Sequence, residues 1–420
     1  MDLSSCDSPN LGISLIPVEE ALQRLQSQVT PLVETETIPL ANALQRVLAK
    51  PVYSGVDVPP HANSSMDGYA ICLSDWQDNT DASMPVSQRI PAGCVGEPLQ
   101  KRSVARIFTG APIPEGADAV VMQELCVSTK VGEGEKLSIT QLPSIGDNIR
   151  QAGEDICEDS CVLDKGHQLR AQDLGLLASV GVTEVDVIRP LRVAVFFTGD
   201  ELKEPGEPLA PGQIYNSNRY TLTAMLTRLG CKVIDLGNVH DTLKATIEAF
   251  EQASVVADLI MTSGGVSVGE EDHIRPALAQ LGTLDLWRIS IKPGKPLAFG
   301  KINDIPFIGL PGNPVSVFAT TCILARPYIK AMQGMPFAPA KGVSVKADFE
   351  ISYSVRRKEY LRARLQYDES GHPRLGLFSN QSSGVLTSAS WADGFAVINE
   401  GSAIYKGDAV EFIPFSFFDL

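Results

Sequence analysis

The chain has 420 residues, which at about 150 residues per domain predicts about three domains. Its composition, 44% hydrophobic and 20% charged, is typical of a folded protein and excludes a disordered one. The net charge of −15 argues against nucleic acid as the main partner, because both surfaces would be negative. No apolar run approaches the roughly 18 residues of a membrane span. Residues Met1–Asp7 lack the basic and apolar regions of a secretory signal, so we expect a cytoplasmic protein.

The cysteines and histidines are scattered along the chain. No C-x-x-C pair occurs among the eight cysteines, and Cys157 and Cys161 are the only two that lie close together. A structural zinc site or a disulfide framework would need tighter spacing. We therefore interpret the cysteines as small buried hydrophobic residues.

The first half of the chain combines two helical patterns with a β-rich stretch. Apolar residues at helical spacing over Val18–Val29 predict a helix that ends before Pro31. Between about Val52 and Leu142, short apolar pieces alternate with Gly- and Pro-rich turns, which is typical of a compact β-rich domain. A second helical pattern spans Leu169–Leu177. We expect this helix to pack on the first one, with the β-rich stretch as an insertion.

From residue 191 onwards, strands alternate with amphipathic helices. The predicted strands are Leu191–Phe197, Lys232–Leu236, Asp258–Met261, Leu286–Ile291 and Ile305–Leu310. Helices are predicted after the capping residues Asn216-Ser217-Asn218, around 243–250, at His273–Leu281 and from Pro314 to Met332. This alternation predicts a mostly parallel, doubly wound α/β sheet. After Gly334 the pattern returns to short strands and predicts a small all-β tail domain.

Four loops of the α/β region carry polar or Gly-Pro sequences. Because the carboxyl ends of parallel strands meet at one edge of a sheet, we expect these loops to line one ligand site. They are residues 198–202, 262–272, 292–296 and 310–314. The stretch Ser263–Gly269 fits either a tight turn or a phosphate cradle, and it lacks the P-loop pattern. Leu310–Pro314 is expected to shape a wall of the site.

Charged residues in these loops suggest an anion and a cation. Lys292 and Lys295 flank a rigid Pro-Gly, which favours an anion site over a solvated turn. Asp200, Glu201 and Asp272 fit either ordinary helix-start carboxylates or a divalent cation bound with an anionic substrate.

Three features lie outside the α/β region. Asp67, in a polar loop that follows Pro59-Pro60, fits a turn that it caps itself, and the loop Thr109–Asp118 fits a similar turn. Residues 341–364 include seven basic residues and three acidic residues. This basic stretch fits either an anion site or an exposed strand edge.

Seven segments, in order, resemble one known family. They are N-S-S-M-D-G-Y-A (63–70), T-G-A-P-I-P-E-G-A-D-A-V-V-M-Q-E (109–124), G-E-D (153–155), T-G-D-E-L (198–202), T-S-G-G-V-S-V-G-E-E-D (262–272), K-P-G-K-P (292–296) and G-L-P-G-N-P (309–314). Together they resemble the molybdopterin molybdenumtransferases, which comprise bacterial MoeA and the E domain of gephyrin. The resemblance runs from about residue 14 to the end, and Ser65 and Glu271 are small variants of the usual alanine.

The resemblance implies an elongated homodimer with four domains in each subunit. A discontinuous helical domain I would span residues 1–47 and 150–188, around a β-rich domain II at 48–149. An α/β domain III of the molybdopterin-binding type would span 189–333, and a C-terminal β-barrel domain IV 334–420.

The implied reaction inserts molybdate into adenylated molybdopterin and releases AMP, with Mg²⁺ or another divalent cation. Acidic positions important in the family match Asp67, Asp155, Glu201, Asp241 and Asp272, of which Glu201 and Asp272 would serve the metal or position water. Asp67 would come from the β-rich domain, and in one interpretation from the other subunit. The implied substrate contacts are Thr109, Ser263, Gly264, Gly265, Ser267, Lys292, Lys295, Pro311, Pro314, Arg362 and Ser383.

Two other functions remain open. The α/β domain alone resembles the adenylyltransferases that make adenylated molybdopterin, so nucleotide transfer is the second candidate, and such an enzyme is also a possible partner. The gephyrin E domain organises membrane receptors, but gephyrin carries a further N-terminal domain, and we expect scaffolding to be minor here.

Overall fold

The computed structural model describes residues 15–76, 83–266 and 272–419. These residues form two compact units. The larger unit comprises the chain up to Glu36 and from Ile188 onwards, and the smaller unit comprises Thr37–Val187. Within the described ranges, no helix combines the length and the apolar character needed to cross a membrane.

A six-stranded sheet forms the centre of the larger unit. In spatial order its strands are Lys232–Val239, Arg192–Thr198, Leu259–Ser263, Ile305–Leu310, Ala298–Ile302 and Gly282–Trp287. The first four run parallel, and the last two are antiparallel to their neighbours. The side chains of Val193–Phe197 are all buried, as expected of a strand covered on both faces. The predicted mostly parallel, doubly wound sheet is confirmed.

Helices cover both faces of this sheet. On one face Phe197 shares a core with Leu222, and on the other Phe250 makes edge-to-face contacts with Phe196 and Phe307 at 5.2 and 5.1 Å. Neighbouring residues of one strand thus point into separate cores. The helices are Ser217–Arg228, Leu243–Val256, Ile274–Leu281 and one that runs from Pro314 to Met332 with a π-helical turn at Thr321–Ala325.

The prediction of a strand at Leu286–Ile291 is wrong. The edge strand of the sheet is Gly282–Trp287, and it runs antiparallel to its neighbour. Ile291–Lys292 leaves this sheet and pairs in parallel with Lys358–Glu359 of the C-terminal sheet. A short apolar run predicts strand structure but does not identify which sheet it joins.

The strand Ala298–Ile302 was not predicted. A tight turn joins it to Ile305–Leu310, with Asn303 and Asp304 at φ values of 46° and 69°. Asn and Asp tolerate this left-handed conformation, which two-residue hairpin loops require. The Asn-Asp pair is the signal for this hairpin in the sequence.

The two predicted helices bury their apolar faces in different cores. Val18–Ser27 contributes to the α/β core that contains Leu191 and Tyr328. Ala171–Ser179 contributes Leu177 to a small core of the smaller unit. The two helices lie in different units, so the packing of one on the other stays a prediction. Periodicity identifies the buried face of a helix but not its partner.

The C-terminal strands close into a five-stranded barrel. Lys358–Tyr367 pairs with strands on both sides, which closes the sheet on itself. Leu361, Leu375 and Phe412 belong to its core. The predicted barrel is confirmed. Its strands are Val343–Ala347, Lys358–Tyr367, Pro373–Leu377, Gly394–Ile398 and Ala409–Pro414, and a short helix spans Leu386–Trp391.

The smaller unit is built on a second six-stranded sheet. Its two faces bury different cores, with Tyr69 and Ile71 on one side and Ala70 on the other. The predicted β-rich character of this region is confirmed. In spatial order the strands are Ala119–Met122, Gly68–Ile71, Val104–Ile107, Met84–Ile90, Gly134–Ile139 and Cys126–Val131, and two short ladders pair Val52–Tyr53 with Cys161–Leu163 and Asn63–Ser64 with Ile149–Arg150.

The seven cysteines in the described ranges are free thiols, and their burial differs. Cys231 and Cys322 are buried, as interpreted from the sequence. Cys94, Cys157 and Cys161 are exposed, so the same interpretation is wrong for them.

An ion-pair network anchors the beginning of the α/β region. Asp258 accepts hydrogen bonds from Arg189 at 2.6 Å and from Arg192 at 2.8 Å, and Arg189 also pairs with Glu34 at 2.6 Å. The Asp258 side chain is only 10% exposed. Burial acts to raise the pKa of Asp258, but the hydrogen bonds from the two arginines outweigh it and hold the pKa well below its ordinary value.

We predict that Asp258→Asn lowers the free energy of unfolding of the larger unit by about 2–3 kcal/mol at pH 7, because two arginines lose a charged partner. A carboxyl whose pKa is lowered by folding stabilises the protein above the unfolded pKa, and this contribution disappears as the pH falls through the folded pKa. The difference between variant and wild type should therefore shrink below about pH 4. Denaturant titrations from pH 7 down to pH 3 measure this difference in the free energy of unfolding.

Glu20→Gln is the matched control, since Glu20 pairs with Arg24 on an exposed helix face. It should change the stability by less than about 0.5 kcal/mol. A stability difference for Asp258→Asn that stays constant with pH would contradict the assignment.

Candidate functional site

A cleft of about 1120 Å³ lies where the parallel strands of the larger unit end. Thr198 and Ser263 end two of these strands, Pro311 follows a third, and all three line the cleft. Lys292–Pro296 lines it as well, although this loop follows a strand of the barrel sheet. The four loops selected from the sequence therefore line one cleft, as predicted.

A glycine turn forms the floor between two strand ends. Gly264 has a φ of +99°, and a Cβ atom there would lie 2.5 Å from the carbonyl oxygen of Thr198. Gly265 also has a positive φ, +62°, and it lines the cleft beside Gly264. Close packing against the neighbouring strand thus requires glycine at residue 264. Ser267, a predicted contact of the same loop, lies outside the described residues.

The side-chain amide of Asn218 connects three walls of the cleft. It donates to Ser263 Oγ at 2.9 Å and to the carbonyl of Gly312 at 2.6 Å. Ser263 Oγ in turn donates to the carbonyl of Pro311 at 3.1 Å. Asn218 was predicted only as part of a helix cap, a role that Asn216 fills. Its function in the cleft depends on chain segments far away in sequence, which no local pattern reveals.

Two acidic side chains line one side of the cleft, Glu201 and Asp241. Asp241 Oδ2 accepts from the backbone N–H of Asp200 at 3.1 Å, and His240 Nδ1 lies 2.9 Å from Asp200 Oδ1. Burial raises the pKa of Asp241, and the charges of Asp200 and Glu201 add to this, while the hydrogen bond from Asp200 acts against it. A cation bound here would relieve this repulsion.

Asp272 is the most strongly perturbed acid of the cleft. Both of its carboxylate oxygens are shielded from solvent, and neither makes a hydrogen bond of normal geometry within the described chain. Burial raises the pKa of Asp272 to about 7, although the Ile274 N–H and the Arg275 guanidinium act against it. A buried carboxylate without a partner is costly unless it is protonated or meets a cation.

The carboxylates of Glu201 and Asp272 suit a divalent cation that is also bound by oxygens of a substrate. No group of three or more His, Cys, Asp or Glu side chains with metal-site geometry occurs in the part of the chain that the structure describes. Mg²⁺ often takes only one or two protein carboxylates and completes its shell with water and phosphate oxygens. Glu201 and the two unpartnered oxygens of Asp272 suit that arrangement, because both residues line this cleft.

Three basic residues line the same cleft, Lys292, Lys295 and Arg357. The ammonium group of Lys292 lies 2.9 Å from Glu359 Oε1. The Arg357 guanidinium also approaches the carbonyl of Ile291, at 3.4 Å. Sequence reasoning identified Arg357 only as part of a basic stretch, because nothing local distinguishes it from its neighbours.

Arg362 lies beneath the cleft surface, and Ser383 lies on it. Arg362 is 1% exposed, and its guanidinium donates to Ser388 Oγ at 3.0 Å and to the carbonyl of Ser382 at 3.2 Å. Burial lowers the pKa of Arg362 to about 10, with the charge of Glu359 acting against it. Arg362 thus holds the loop that carries Ser383 into the cleft.

Pro311 and Pro314 line the cleft as rigid walls. Pro314 is the first residue of its helix, where a missing N–H group costs no hydrogen bond. The N–H of the next residue, Val315, donates to the carbonyl of Ser383 at 3.0 Å. The two walls are therefore tied together through the backbone.

Asp67 and Thr109 lie together on the smaller unit. Asp67 Oδ1 accepts from both the N–H and the hydroxyl of Thr109 at 2.8 Å, and these bonds lower the pKa of Asp67. The interpretation that Asp67 caps its own turn is wrong, because it caps the neighbouring loop. Asp155 is exposed in a turn anchored by its N–H, which donates to the carbonyl of Val58 at 3.0 Å.

Three family models match the chain in succession. They describe the MoeA N-terminal region (domain I and II) over residues 16–181, a probable molybdopterin binding domain over 194–331, and the MoeA C-terminal region (domain IV) over 344–415. The molybdopterin molybdenumtransferase of Haemophilus influenzae is 38% identical over 408 residues, which cover 96% of this chain and 99% of that protein. The chain belongs to the MoeA family.

Other members of the MoeA family agree over similar lengths. The molybdopterin molybdenumtransferase of Bacillus subtilis is 31% identical, with 93% of this chain and 92% of that protein covered. The crystal structure of a molybdopterin biosynthesis MoeA protein from Pyrococcus horikoshii has a TM-score of 0.77 at 31% identity and covers 96% of this chain and 99% of its own. A second such structure, from strain OT3, has a TM-score of 0.81 at 27% identity, with 96% and 100% covered.

We predict that Gly264→Ala destabilises the larger unit of this MoeA-family protein by at least about 2 kcal/mol, because the new Cβ meets the Thr198 carbonyl in a backbone conformation that alanine avoids. Gly312→Ala is the control, since among the described residues only Gly264 Cα, at 3.9 Å, would lie within 4 Å of its Cβ. Urea unfolding followed by fluorescence measures both. Equal losses for the two variants would show that the close approach is unimportant.

Proposed function

We propose that this protein is a molybdopterin molybdenumtransferase that inserts molybdate into adenylated molybdopterin and releases AMP. One observation carries the proposal: a single cleft combines acidic and basic side chains in a chain that aligns almost throughout with relatives of that name. The acids are Glu201, Asp241 and Asp272, and the bases are Lys292, Lys295 and Arg357.

The chemistry explains why both signs of charge are needed. AMP leaves when the bond between two phosphates breaks, with water adding to one phosphorus and the bridging oxygen leaving with the other. The departing phosphate is negatively charged, and the basic side chains of the cleft stabilise it. Mg²⁺ or another divalent cation, when bound, would neutralise charge on the phosphates. Glu201 and Asp272 would hold this cation or orient the attacking water. Glu201 is exposed at the cleft, and the buried oxygens of Asp272 have no hydrogen-bond partner in the described chain.

The remaining predicted residues belong to the same proposal. We assign molybdate to the end of the cleft that carries Ser383, where Arg362 supports the loop from beneath. Asp67 and Asp155, which match acidic positions important in the family, lie on the smaller unit, where hydrogen bonds from Thr109 lower the pKa of Asp67. The proposed substrate contacts on the larger unit are Ser263, Gly264, Gly265, Ser267, Lys292, Lys295, Pro311 and Pro314. Thr109, on the smaller unit, stays a contact that the resemblance implies.

Nucleotide transfer by a molybdopterin adenylyltransferase is not favoured. The two relatives named molybdopterin molybdenumtransferase align with 96% and 93% of this chain, including the regions outside the molybdopterin-binding domain. The same full-length match speaks against scaffolding as the main role.

The decisive assay combines the protein with adenylated molybdopterin, molybdate and Mg²⁺ and follows AMP. AMP that appears only with molybdate, together with active cofactor, supports the transferase. Consumption of ATP to adenylate molybdopterin would instead identify an adenylyltransferase. Omitting Mg²⁺ tests the cation requirement in the same experiment.

We predict that Glu201→Gln and Asp272→Asn each slow AMP release by at least about 100-fold, because such charge stabilisation is worth about 3–4 kcal/mol. Neither variant should unfold at a lower temperature than the wild type, since Glu201 is exposed and the Asp272 oxygens have no hydrogen-bond partner in the described chain. Glu207→Gln is the matched control, as this exposed acid has only a 3.9 Å contact with Lys203. Near-normal rates in both cleft variants would remove these residues from the mechanism.

The oligomeric state and the cellular location of the protein are also part of the proposal. We expect a cytoplasmic homodimer that can receive its substrate from an adenylyltransferase partner. Light scattering should then give a mass of about 90 kDa, twice the 45.1 kDa of the chain. A mass of one chain at micromolar concentration would exclude the homodimer.

A further inference from the structure

Glu359 is a buried acid that the proposed reaction does not use. Its side chain is 7% exposed, and its Oε1 lies 2.9 Å from the ammonium of Lys292, which is 40% exposed and lines the cleft. One partner of this ion pair is therefore in the protein interior, and the other is at the ligand surface. A buried carboxylate is stable only with such a partner.

The backbone holds this pair in place. Ile291–Lys292 pairs in parallel with Lys358–Glu359, and Lys292 lies directly opposite Glu359 in the ladder. Glu359 is the second residue of the barrel strand Lys358–Tyr367, and the buried Arg362 follows three residues later in the same strand. The carboxylate is thus part of a fixed cluster of charges, unlike a contact between two mobile surface side chains.

The position of Glu359 determines how strongly Lys292 can attract an anion. An oxyanion in contact with the ammonium group would lie about 6 Å from the carboxylate. The negative charge of Glu359 would repel it and offset much of the attraction by Lys292. Electrostatic attraction alone does not distinguish one dianion from another, whereas the directions of hydrogen-bond donors do.

We infer that Glu359 is a positioning residue of the oxyanion site: it fixes Lys292 and offsets about half of the attraction that Lys292 exerts on a bound oxyanion. Binding of a small dianion then depends on the geometry of the remaining donors in the cleft. This inference rests on the proposed function for the identity of the oxyanion, molybdate, and it would hold for any dianion in contact with Lys292.

The test is Glu359→Gln, because the glutamine oxygen can still accept from Lys292 while the charge is lost. The molybdate concentration for half-maximal AMP release should fall by at least about tenfold, the effect of one charge about 6 Å from a dianion even with the screening of water. Sulfate and phosphate should inhibit at correspondingly lower concentrations. A damaged site would bind more weakly, so an unchanged or higher molybdate requirement overturns the inference.

Glu369→Gln is the matched control, because it changes the net charge equally at an exposed residue of the barrel. It should leave the molybdate requirement as in the wild type. Direct binding of molybdate, measured by equilibrium dialysis, gives the same comparison if Glu359→Gln is inactive. If the proposed function fails, the wild type releases no AMP with molybdate, yet dialysis against sulfate or phosphate still tests Glu359.

A second pair of variants separates the positioning of Lys292 from the charge of Glu359. Lys292→Ala leaves the buried carboxylate unpaired and should lower the unfolding temperature. Lys292→Ala/Glu359→Gln should recover that temperature but lose the tight oxyanion binding of Glu359→Gln. If the double variant is no more stable than Lys292→Ala, the ion pair is not what stabilises Glu359, and the inference is wrong.

Discussion

The amide of Asn218 donates both of its hydrogens, one to Ser263 Oγ and one to the carbonyl of Gly312, and these two bonds keep the loops around the cleft at fixed distances. Ser263 passes the connection on to the Pro311 carbonyl. Further along, the N–H of Val315 holds the loop with Ser383. Ser263, Pro311 and Ser383 thus lie on loops that this chain of bonds connects. The cleft is therefore preorganised, which reduces the entropy lost on binding.

The basic side chains of the cleft are opposite in sign to the net charge of the molecule. A protein with a net charge of −15 repels anions at long range, but salt screens this repulsion beyond about 8–10 Å. Within that distance only nearby groups matter, and the cleft supplies Lys292, Lys295 and Arg357 there. Since the negative charge of Glu359 offsets part of the positive charge of Lys292, the attraction of the cleft for an anion is moderate as well as local. An acidic protein can thus bind a small anion without accumulating larger polyanions such as nucleic acids.

Local sequence patterns predicted those parts of the fold that local forces determine. Apolar runs and periodicity indicated the strand Arg192–Thr198 and the helix Pro314–Met332. The glycines of Ser263–Gly269 indicated a turn, and Gly264 has the positive φ that such a turn requires. Long-range pairing was not predictable in this way. Ile291–Lys292 joins the barrel sheet, and the buried Arg362 supports a loop from beneath. Both depend on partners that are distant in sequence, and no periodicity records them.

The pairing of Ile291–Lys292 with the barrel also affects how the larger unit folds. Residues paired there are 67 positions apart, so the entropy of closing a long loop must be overcome before these hydrogen bonds form. The ladder joins a segment that follows the α/β sheet to the barrel sheet, and both sheets lie within one compact unit. We therefore expect them to unfold together in native-state hydrogen exchange, as one cooperative unit. An excised barrel would lack the short strand that carries Lys292, and it would expose Glu359 without a counter-charge.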